Sequence, residues 1–595
     1  MLAIKIFQVI VFIFGFSRIT FGQNKENNGQ YPETKNLKSE YDFIIVGGGT
    51  AGSVLANRLS EISNWDVLLI EAGGVENKDV TDIPGYRDVI HTNIDWNFTT
   101  VPNSRYGFSL VNNSIIVCRG KVLGGTSVTN LLVHTRGNSD DYDRWEKIYK
   151  NPGWSWQNVE RYFKKFEDYD VQDDTTTSNY FGKGGPVHIE RNSFYNKITP
   201  AFIKAAQDTG LNLTDINGPN PIGVGTTVLT RKNGYRVTTY NAYLVPIRRS
   251  NLHLKLNCLV TKVLIENKTA NGISMACSDG NFIIKARKEV VLSAGSIKSP
   301  QLLMLSGIGP KEHLTEHGIA LIKNLPVGDN LMDHVTLVGL QFSVNQSTNS
   351  FSNTYLSTLN QVLEFEGKGP LSTSPMEAMI FSHSKNGSAT KLFVLYTKPY
   401  DYMYCNECSL SNKTCDDVFD PKSNKMAFNV YPLVLKPKSR GYVRLRDNSP
   451  FSDPLIDFNY FSQPDDFDNL LESVKETINI MKQPALKSLD IKIVKNKLPA
   501  CEKYEFGSDD YWKCQIYEIP GTFNHACGTC KMGPEDDSSS VVDSELRVHG
   551  VNRLRVIDSS VIPEIINGRP NGPTTMIAEK GADLIKSFWN KESIL

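Results

Sequence analysis

Tyr41-Asp-Phe-Ile-Ile-Val-Gly-Gly-Gly-Thr-Ala-Gly52 is the stretch that decides the fold. Phe43-Ile-Ile-Val46 is a short apolar run, the composition of a central parallel strand buried on both faces. Gly47, Gly49 and Gly52 then fit G-x-G-x-x-G. The first glycine permits a tight turn, the second lets backbone approach a pyrophosphate, and the third lets the next helix pack on the strand. Thr50 and Ala51 lie inside that turn, and Ala51, Val54, Leu55, Leu59 and Ile62 recur at helical spacing. The unpaired N–H groups of the helix N-terminus therefore point at the phosphates. A second strand, Asp66-Val-Leu-Leu-Ile70, ends in Glu71, at the offset where an acid receives the hydroxyls of an adenosine ribose. Strand, glycines, helix, strand and acid in this order read as a dinucleotide cradle, for FAD or NAD rather than NADP.

Later stretches extend the same sheet and site. Arg119-Gly-Lys-Val-Leu-Gly-Gly-Thr-Ser-Val-Thr-Asn130 is a second glycine-rich loop, able to bend around a flat ring and to offer Ser, Thr and Asn side chains to its polar edge. Glu289-Val-Val-Leu-Ser-Ala-Gly-Ser-Ile-Lys-Ser-Pro300 reads as a further parallel strand, a glycine turn and a helix start. Leu554-Arg-Val-Ile-Asp558 reads as another strand with an acid at its carboxyl end, the edge where α/β sheets place ligands. Asn571-Gly-Pro-Thr574 opens a last helix, with proline in its first turn. A helix N-terminus aimed at an isoalloxazine stabilises the negative charge that the reduced ring carries. Asn524-His-Ala-Cys-Gly-Thr-Cys-Lys-Met-Gly533 adds a histidine, His525, as candidate proton acceptor.

At 595 residues the chain is long enough for two domains or more. Its 64 basic and 64 acidic residues cancel, which gives no support for nucleic-acid binding, and 40% apolar content suits a soluble globular enzyme. Residues 1–22 read as an export signal, with Lys5 before an apolar run from Ile6 to Phe16 and small residues in Thr20-Phe-Gly22. That run is shorter than the ~20 residues of a spanning helix, so no stable membrane anchor is expected. Sequons at Asn97, Asn112, Asn212, Asn267, Asn345, Asn386 and Asn412 agree with secretion. Cys405, Cys408 and Cys415 cluster in a loop-like insert, and Cys501 and Cys514 bracket another. In an oxidising compartment these read as loop staples, with Cys501–Cys514 the simplest pair. Cys405 and Cys408 have a zinc-like spacing, but no second half-site follows and no metal is expected. Cys527 and Cys530 read as packed thiols.

Together these motifs resemble the glucose–methanol–choline (GMC) oxidoreductases, and among them secreted insect members such as glucose dehydrogenases and leaf-beetle alcohol oxidases. The match runs from Tyr41 to Lys586 and includes Gly120-Lys-Val-Leu-Gly-Gly-Thr-Ser, the glycine–proline stretch from Gly295, Asp95-Trp96 and Val327-Gly-Asp-Asn-Leu-Met-Asp-His334. The resemblance implies FAD, held at its ADP half by Gly47, Gly49, Thr50, Ala51, Gly52 and Glu71, with the backbone of Val260 at the adenine. It puts Gly125, Thr126 and Asn130 beside the flavin ring, Asp558 at the phosphate–ribityl region, and Asn571 and Thr574 at the ring's carbonyl end. Members that tether the flavin carry a histidine where this chain has Thr129, so the FAD is expected to be noncovalent.

The family's catalytic histidine maps onto His525 and its second catalytic position onto Asn571. An alcohol must lose its O–H proton as its carbon gives hydride to flavin N5; imidazole can take that proton, whereas asparagine can only donate a hydrogen bond. His334 and His549 are expected to be structural, and Glu377 is the fallback base. Ala526 stands where insect relatives commonly have proline, which suggests a less constrained backbone, and Met332 replaces a common glutamine.

The expected fold is α/β: a doubly wound parallel FAD-binding sheet with a second, antiparallel-sheet substrate domain inserted discontinuously. The expected boundaries are 41–335 for the FAD-binding region with a substrate-domain insert at about 190–245, 335–535 for most of the substrate domain, and 535–590 for the return to the FAD domain. The alternation in Tyr442-Val-Arg-Leu-Arg446 suits the antiparallel sheet. The expected partners are a small-molecule alcohol and either O2 or a quinone-like acceptor. An alcohol oxidase leads, followed by a sugar dehydrogenase and then by a non-enzymatic binding protein.

Overall fold

The computed structural model describes residues 30–76, 81–85, 91–171, 179–344, 366–383, 390–397, 402–419 and 427–592. The export segment and the sequons at Asn345 and Asn386 lie outside them.

The first layer contains β1 (Glu40–Val46), α1 (Thr50–Leu59), β2 (Val67–Ile70), β3 (Leu252–Lys255), β4 (Cys258–Glu266), β5 (Thr269–Cys277), β6 (Gly280–Leu292), α2 (Gly295–Leu305), β7 (Leu554–Val556) and α3 (Asn571–Glu592). Strands β3, β2, β1 and β6 pair in parallel in that order, and β7 adds in parallel to the end of β6. Every residue of β1 after Glu40 is buried, as an apolar strand covered on both faces must be. The long strand β6 also pairs through its first half with β5, which pairs with β4, and both pairings are antiparallel. The parallel sheet therefore carries a hairpin extension. Ile70, Val46, Leu292 and Val556 fall in register across β2, β1, β6 and β7, so these strands end together at one edge. That edge is where an α/β sheet holds its ligand.

Helices α1 and α3, from opposite ends of the sequence, pack against each other. Arg58 forks the fully buried carboxylate of Glu579, with Nε 2.8 Å from Oε2 and Nη2 2.8 Å from Oε1. The Tyr243 hydroxyl adds a third bond at 2.8 Å. A buried carboxylate is tolerated only with partners of this kind.

The second layer is an eight-stranded sheet in which every pairing is antiparallel. Ala427–Val434, Thr390–Tyr396 and Met376–His383 form its centre, and Gly223–Thr226 joins it from the earlier segment. The period of two divides its side chains between two cores. Ala378, Ile380, Phe393 and Leu395 pack with Phe467, Leu470 and Val474, which lie on the helix Pro464–Met481. Met379, Phe381, Leu392 and Val394 face the other way and pack with Leu132 and Val133, just after the second glycine loop.

Tyr442–Arg444 does not join this sheet. It pairs only with Leu455–Asp457, as a separate two-stranded ribbon. Alternation identifies a half-buried strand but not its neighbour.

Three disulfides are present: Cys258–Cys277, Cys405–Cys415 and Cys501–Cys514. The first, unforeseen from the sequence, joins directly paired residues of β4 and β5. Cys527 and Cys530 are buried thiols, and burial pushes both well above the usual thiol range. Among the described residues, no helix is long and apolar enough to cross a membrane.

Candidate active site

A cavity of about 290 Å³ follows the carboxyl edge of the parallel sheet and continues beneath the antiparallel one. Glu71 and Val260 line one end, Gly47, Gly49, Thr50, Ala51, Gly125 and Thr126 line the middle, and His525 and Asn571 line the other end. Asn130, Asp558 and Thr574 also line it. Gly52 alone among the expected site residues does not. It sits behind the turn, where a Cβ would lie 1.8 Å from the Gly47 carbonyl oxygen.

Glu71 closes the first end. Its Oε2 accepts from the Gly48 N–H at 2.8 Å and its Oε1 from the Gly73 N–H at 2.9 Å. Burial pushes its carboxyl up to about 7, against these backbone donors. In the middle, the two glycine loops meet backbone to backbone. Gly124 N–H donates to the Gly48 carbonyl at 2.8 Å. Gly125 has φ +55°, and a Cβ there would sit 2.7 Å from the Gly49 Cα, so a larger residue would force the loops apart.

Several expected cofactor contacts also have partners within the protein. Asp558 Oδ2 accepts from Gly295 N–H at 2.8 Å and Ser299 Oγ at 2.6 Å, and its Oδ1 accepts from Ser560 N–H at 2.7 Å, which ties the end of β7 to the start of α2. Asn130 Oδ1 accepts from Leu132 N–H at 3.0 Å and Arg236 Nη1 at 2.9 Å. Thr50 Oγ1 donates to Asn571 Oδ1 at 3.0 Å, joining the N-termini of α1 and α3. With its carbonyl thus engaged, Asn571 is left with its amide group as donor.

His525 is held on both its backbone and its ring. Asp333 Oδ1 accepts its backbone N–H at 2.7 Å, and Asp333 Oδ2 accepts from Tyr460 and Thr522, both at 2.5 Å. His334 Nδ1 meets His525 Nδ1 at 2.8 Å. The other nitrogen of His334 lies 3.1 Å from the Leu435 carbonyl, which can only accept. Burial first, then the Lys436 charge, pushes the His334 imidazole down to about 3, so it is neutral. Its single proton is therefore on Nε2, and its Nδ1 must accept. His525 then carries its proton on Nδ1, and its Nε2 bears the free lone pair. Nε2 has no protein partner among the described residues, and His525 is 8% exposed in the cavity wall. Burial, followed by His334, Arg569 and Arg119, holds this imidazole well below the usual histidine range.

These contacts correct two expectations. Ala526 does not loosen the backbone, because Met332 and Cys527 exchange N–H···O bonds of 3.0 Å and Ser296 Oγ donates to the Ala526 carbonyl at 2.7 Å. Glu377 lies outside the cavity wall. Its carboxylate accepts from Asn196 N–H at 2.8 Å, Thr397 Oγ1 at 2.7 Å and the Thr199 hydroxyl, so it is no alternative base. His549 is occupied by Ser540 and the Gly533 carbonyl, both 3.1 Å from its Nε2, as a structural histidine would be. His334 is buried too, but it orients the ring of His525.

Other lining residues carried no sequence signal of their own. Leu131, Leu132, Val133, Met376 and Phe523 form an apolar wall near His525, and Arg569 enters two residues before Asn571. The residues present fit an FAD: a backbone cradle with no room for side chains, an acid at one end, and a helix N-terminus with a neutral histidine at the other.

A family model described as GMC oxidoreductase matches residues 41–336, and its C-terminal counterpart matches residues 437–578. The chain is 38% identical over 560 residues to glucose dehydrogenase [FAD, quinone] of Drosophila pseudoobscura pseudoobscura, covering 92% of this chain and 87% of that one. It is 35% identical over 564 residues to ecdysone oxidase of Bombyx mori, covering 93% and 82%. Among solved structures, pyridoxine 4-oxidase from Mesorbium loti superposes with a TM-score of 0.77 at 25% identity, covering 91% of this chain and 99% of that chain.

Proposed function

We propose that this chain, which belongs to the GMC oxidoreductase family, oxidises a primary alcohol to an aldehyde with His525 as the base and O2 as the final electron acceptor. It is an FAD-dependent oxidoreductase acting on CH–OH donors. The observation that carries the reading is the tautomer relay from the Leu435 carbonyl through His334, which leaves the Nε2 lone pair of His525 for the cavity. Bound FAD supplies the acceptor for the electron pair leaving the carbinol carbon.

The protein's own groups act on the hydroxyl. His525 Nε2 takes its proton, and the amide of Asn571 donates a hydrogen bond to the oxygen as negative charge develops there. The N-terminus of α3 adds a positive partial charge to the same end of the cavity. The apolar wall of Leu131 to Val133, Met376 and Phe523 excludes water from the transfer and suits an alcohol with a hydrocarbon body better than a polyhydroxylated sugar. A second reading, a dehydrogenase that passes electrons to a quinone, draws support from the 38% identity to glucose dehydrogenase [FAD, quinone]. Oxygen uptake with peroxide release against dye reduction under nitrogen separates the two.

Thr129 lines the cavity, and His525 is its only histidine among the described residues, which supports a noncovalent FAD. Acid denaturation is expected to release free FAD; flavin left on the chain would refute this. Glu71→Ala is expected to weaken FAD binding by ~1–3 kcal/mol, the scale of hydrogen bonds lost to a charged group. Titration of apoprotein with FAD measures it, and an unchanged Kd would remove Glu71 from the site.

Secretion is supported by the three disulfides and by the asparagines of the five described sequons, Asn97, Asn112, Asn212, Asn267 and Asn412, all of which are exposed. Protein from the medium of expressing cells is expected to lose mass on deglycosylation and to show Cys501 linked to Cys514 in peptide maps. Unmodified asparagines at every sequon and retention inside the cell would contradict it.

A further inference from the structure

Arg569 is a charged group at the alcohol end of the cavity whose guanidinium meets neither a carboxylate nor a carbonyl among the described residues, whereas Arg119 in the same wall donates to the Cys118 and Asn524 carbonyls at 2.8 and 2.9 Å. Arg569 is only 6% exposed and lines the cavity. Its Nη1 faces Met379 Sδ at 2.8 Å and its Nη2 faces Met376 Sδ at 2.9 Å, and it lies 5.9 Å from the centre of the Phe523 ring. Thioether sulfur is a weak acceptor, and an aromatic face does not neutralise a cation. Two other deeply buried arginines have carboxylate partners, and Arg236 is met by the oxygens of Thr81, Ser127 and Asn130. Arg136 forks Glu167, and Arg555 forks Glu289 at 2.7 and 3.1 Å. Burial without a counterion pushes the Arg569 guanidinium down to about 9, which still leaves it a cation at neutral pH.

A buried cation without a partner is costly, and its usual remedy is an anion brought by a ligand. Both prongs of the guanidinium are held only by methionines, whose unbranched side chains reorient readily. A carboxylate would replace both sulfurs with two parallel charge-assisted hydrogen bonds.

We propose that the alcohol oxidised at this site carries a carboxylate, received by Arg569 while the hydroxyl meets His525. The proposal rests on the alcohol-oxidation reading and narrows it to hydroxy acids. The carboxylate is a spectator: the carbinol C–H electron pair and hydrogen pass to FAD, the hydroxyl proton passes to His525 Nε2, and the carboxylate keeps its charge throughout. The apolar wall between the two polar groups suits a hydrocarbon spacer, aromatic or aliphatic.

The test uses the FAD-loaded enzyme without oxygen and compares benzyl alcohol with para-(hydroxymethyl)benzoate. The native enzyme is expected to reduce its flavin with both, with an apparent Kd roughly 30-fold or more lower for the carboxylate, the scale of a desolvated charge pair. Benzoate, which cannot react, should perturb the flavin spectrum and compete with benzyl alcohol, whereas benzamide should compete far less. In Arg569→Met the carboxylate preference should vanish, and Arg569→Lys should restore part of it. Native enzyme that oxidises benzyl alcohol but shows no preference for the carboxylate would overturn the proposal, even if the variants fail to fold. Arg569→Met slowing both substrates equally would also overturn it, by assigning the cation to the flavin. If neither alcohol reduced the flavin but another primary alcohol without a carboxylate did, the proposal would fall and the alcohol-oxidation reading would stand; if no primary alcohol did, that reading itself would fall.

Discussion

His525→Ala is expected to retain its fold and its FAD while reducing the flavin ~10²–10⁴-fold more slowly than the native enzyme, the usual contribution of a positioned general base. Only the ring is removed. The backbone at this position stays fixed by Asp333 and by the bridge between Met332 and Cys527. The sign of the pH effect follows from the depressed pKa. Because burial holds His525 well below 6.5, the imidazole is already the neutral, proton-accepting form at neutral pH. The native rate should therefore be flat through neutrality and fall only in acid, as the ring gains a proton. The acid limb should be absent from His525→Ala. Rapid-mixing measurements of flavin absorbance, made without oxygen across pH, give both numbers. A variant that reduced its flavin at the native rate would remove His525 from its role.

Gly52→Ala is expected to abolish FAD loading and to lower the melting temperature. A methyl group there would sit 1.8 Å from the Gly47 carbonyl oxygen and 3.0 Å from its carbon, closer than any relaxed contact. Relief requires α1 to move off β1, and that displaces the turn which faces the pyrophosphate. Overpacking of this kind costs ~1–3 kcal/mol or more even without a ligand. Gly74→Ala is the control, because its Cβ would meet nothing closer than Asn257 Oδ1 at 3.5 Å. The ratio of visible to ultraviolet absorbance reports loading, and a thermal melt reports stability. Native values of both in Gly52→Ala would show that the helix and strand do not depend on this close approach.

What the sequence made legible was local. Strand, glycines, helix and acid in residues 41–71 are contiguous, and each is dictated by backbone chemistry within a few positions. The start of α3 at Asn571 was legible for the same reason, from proline in the first turn. Features that depend on distant partners were not. Tyr442–Arg444 has the alternation of a sheet strand, but its partner is set by the turn that follows it. Cys258 and Cys277 are 19 residues apart, and only the register of β4 against β5 brings them together. His334 read as a structural histidine, and it became the group that orients His525 only when chain folding closed a gap of 191 residues. Arg569 looked like one more basic residue in a neutral chain. Its isolation exists only because the strand carrying Met376 and Met379 closes over it.

Oxidation of a primary alcohol by the FAD-loaded protein is read most directly from the visible flavin spectrum of the purified holoenzyme, mixed under nitrogen with a panel of primary alcohols that includes para-(hydroxymethyl)benzoate, and then exposed to air. The predicted result is bleaching by at least one alcohol with an equivalent of aldehyde formed, followed by return of the colour and release of hydrogen peroxide when oxygen enters. A loaded enzyme whose flavin stays oxidised with every alcohol in the panel would contradict the account.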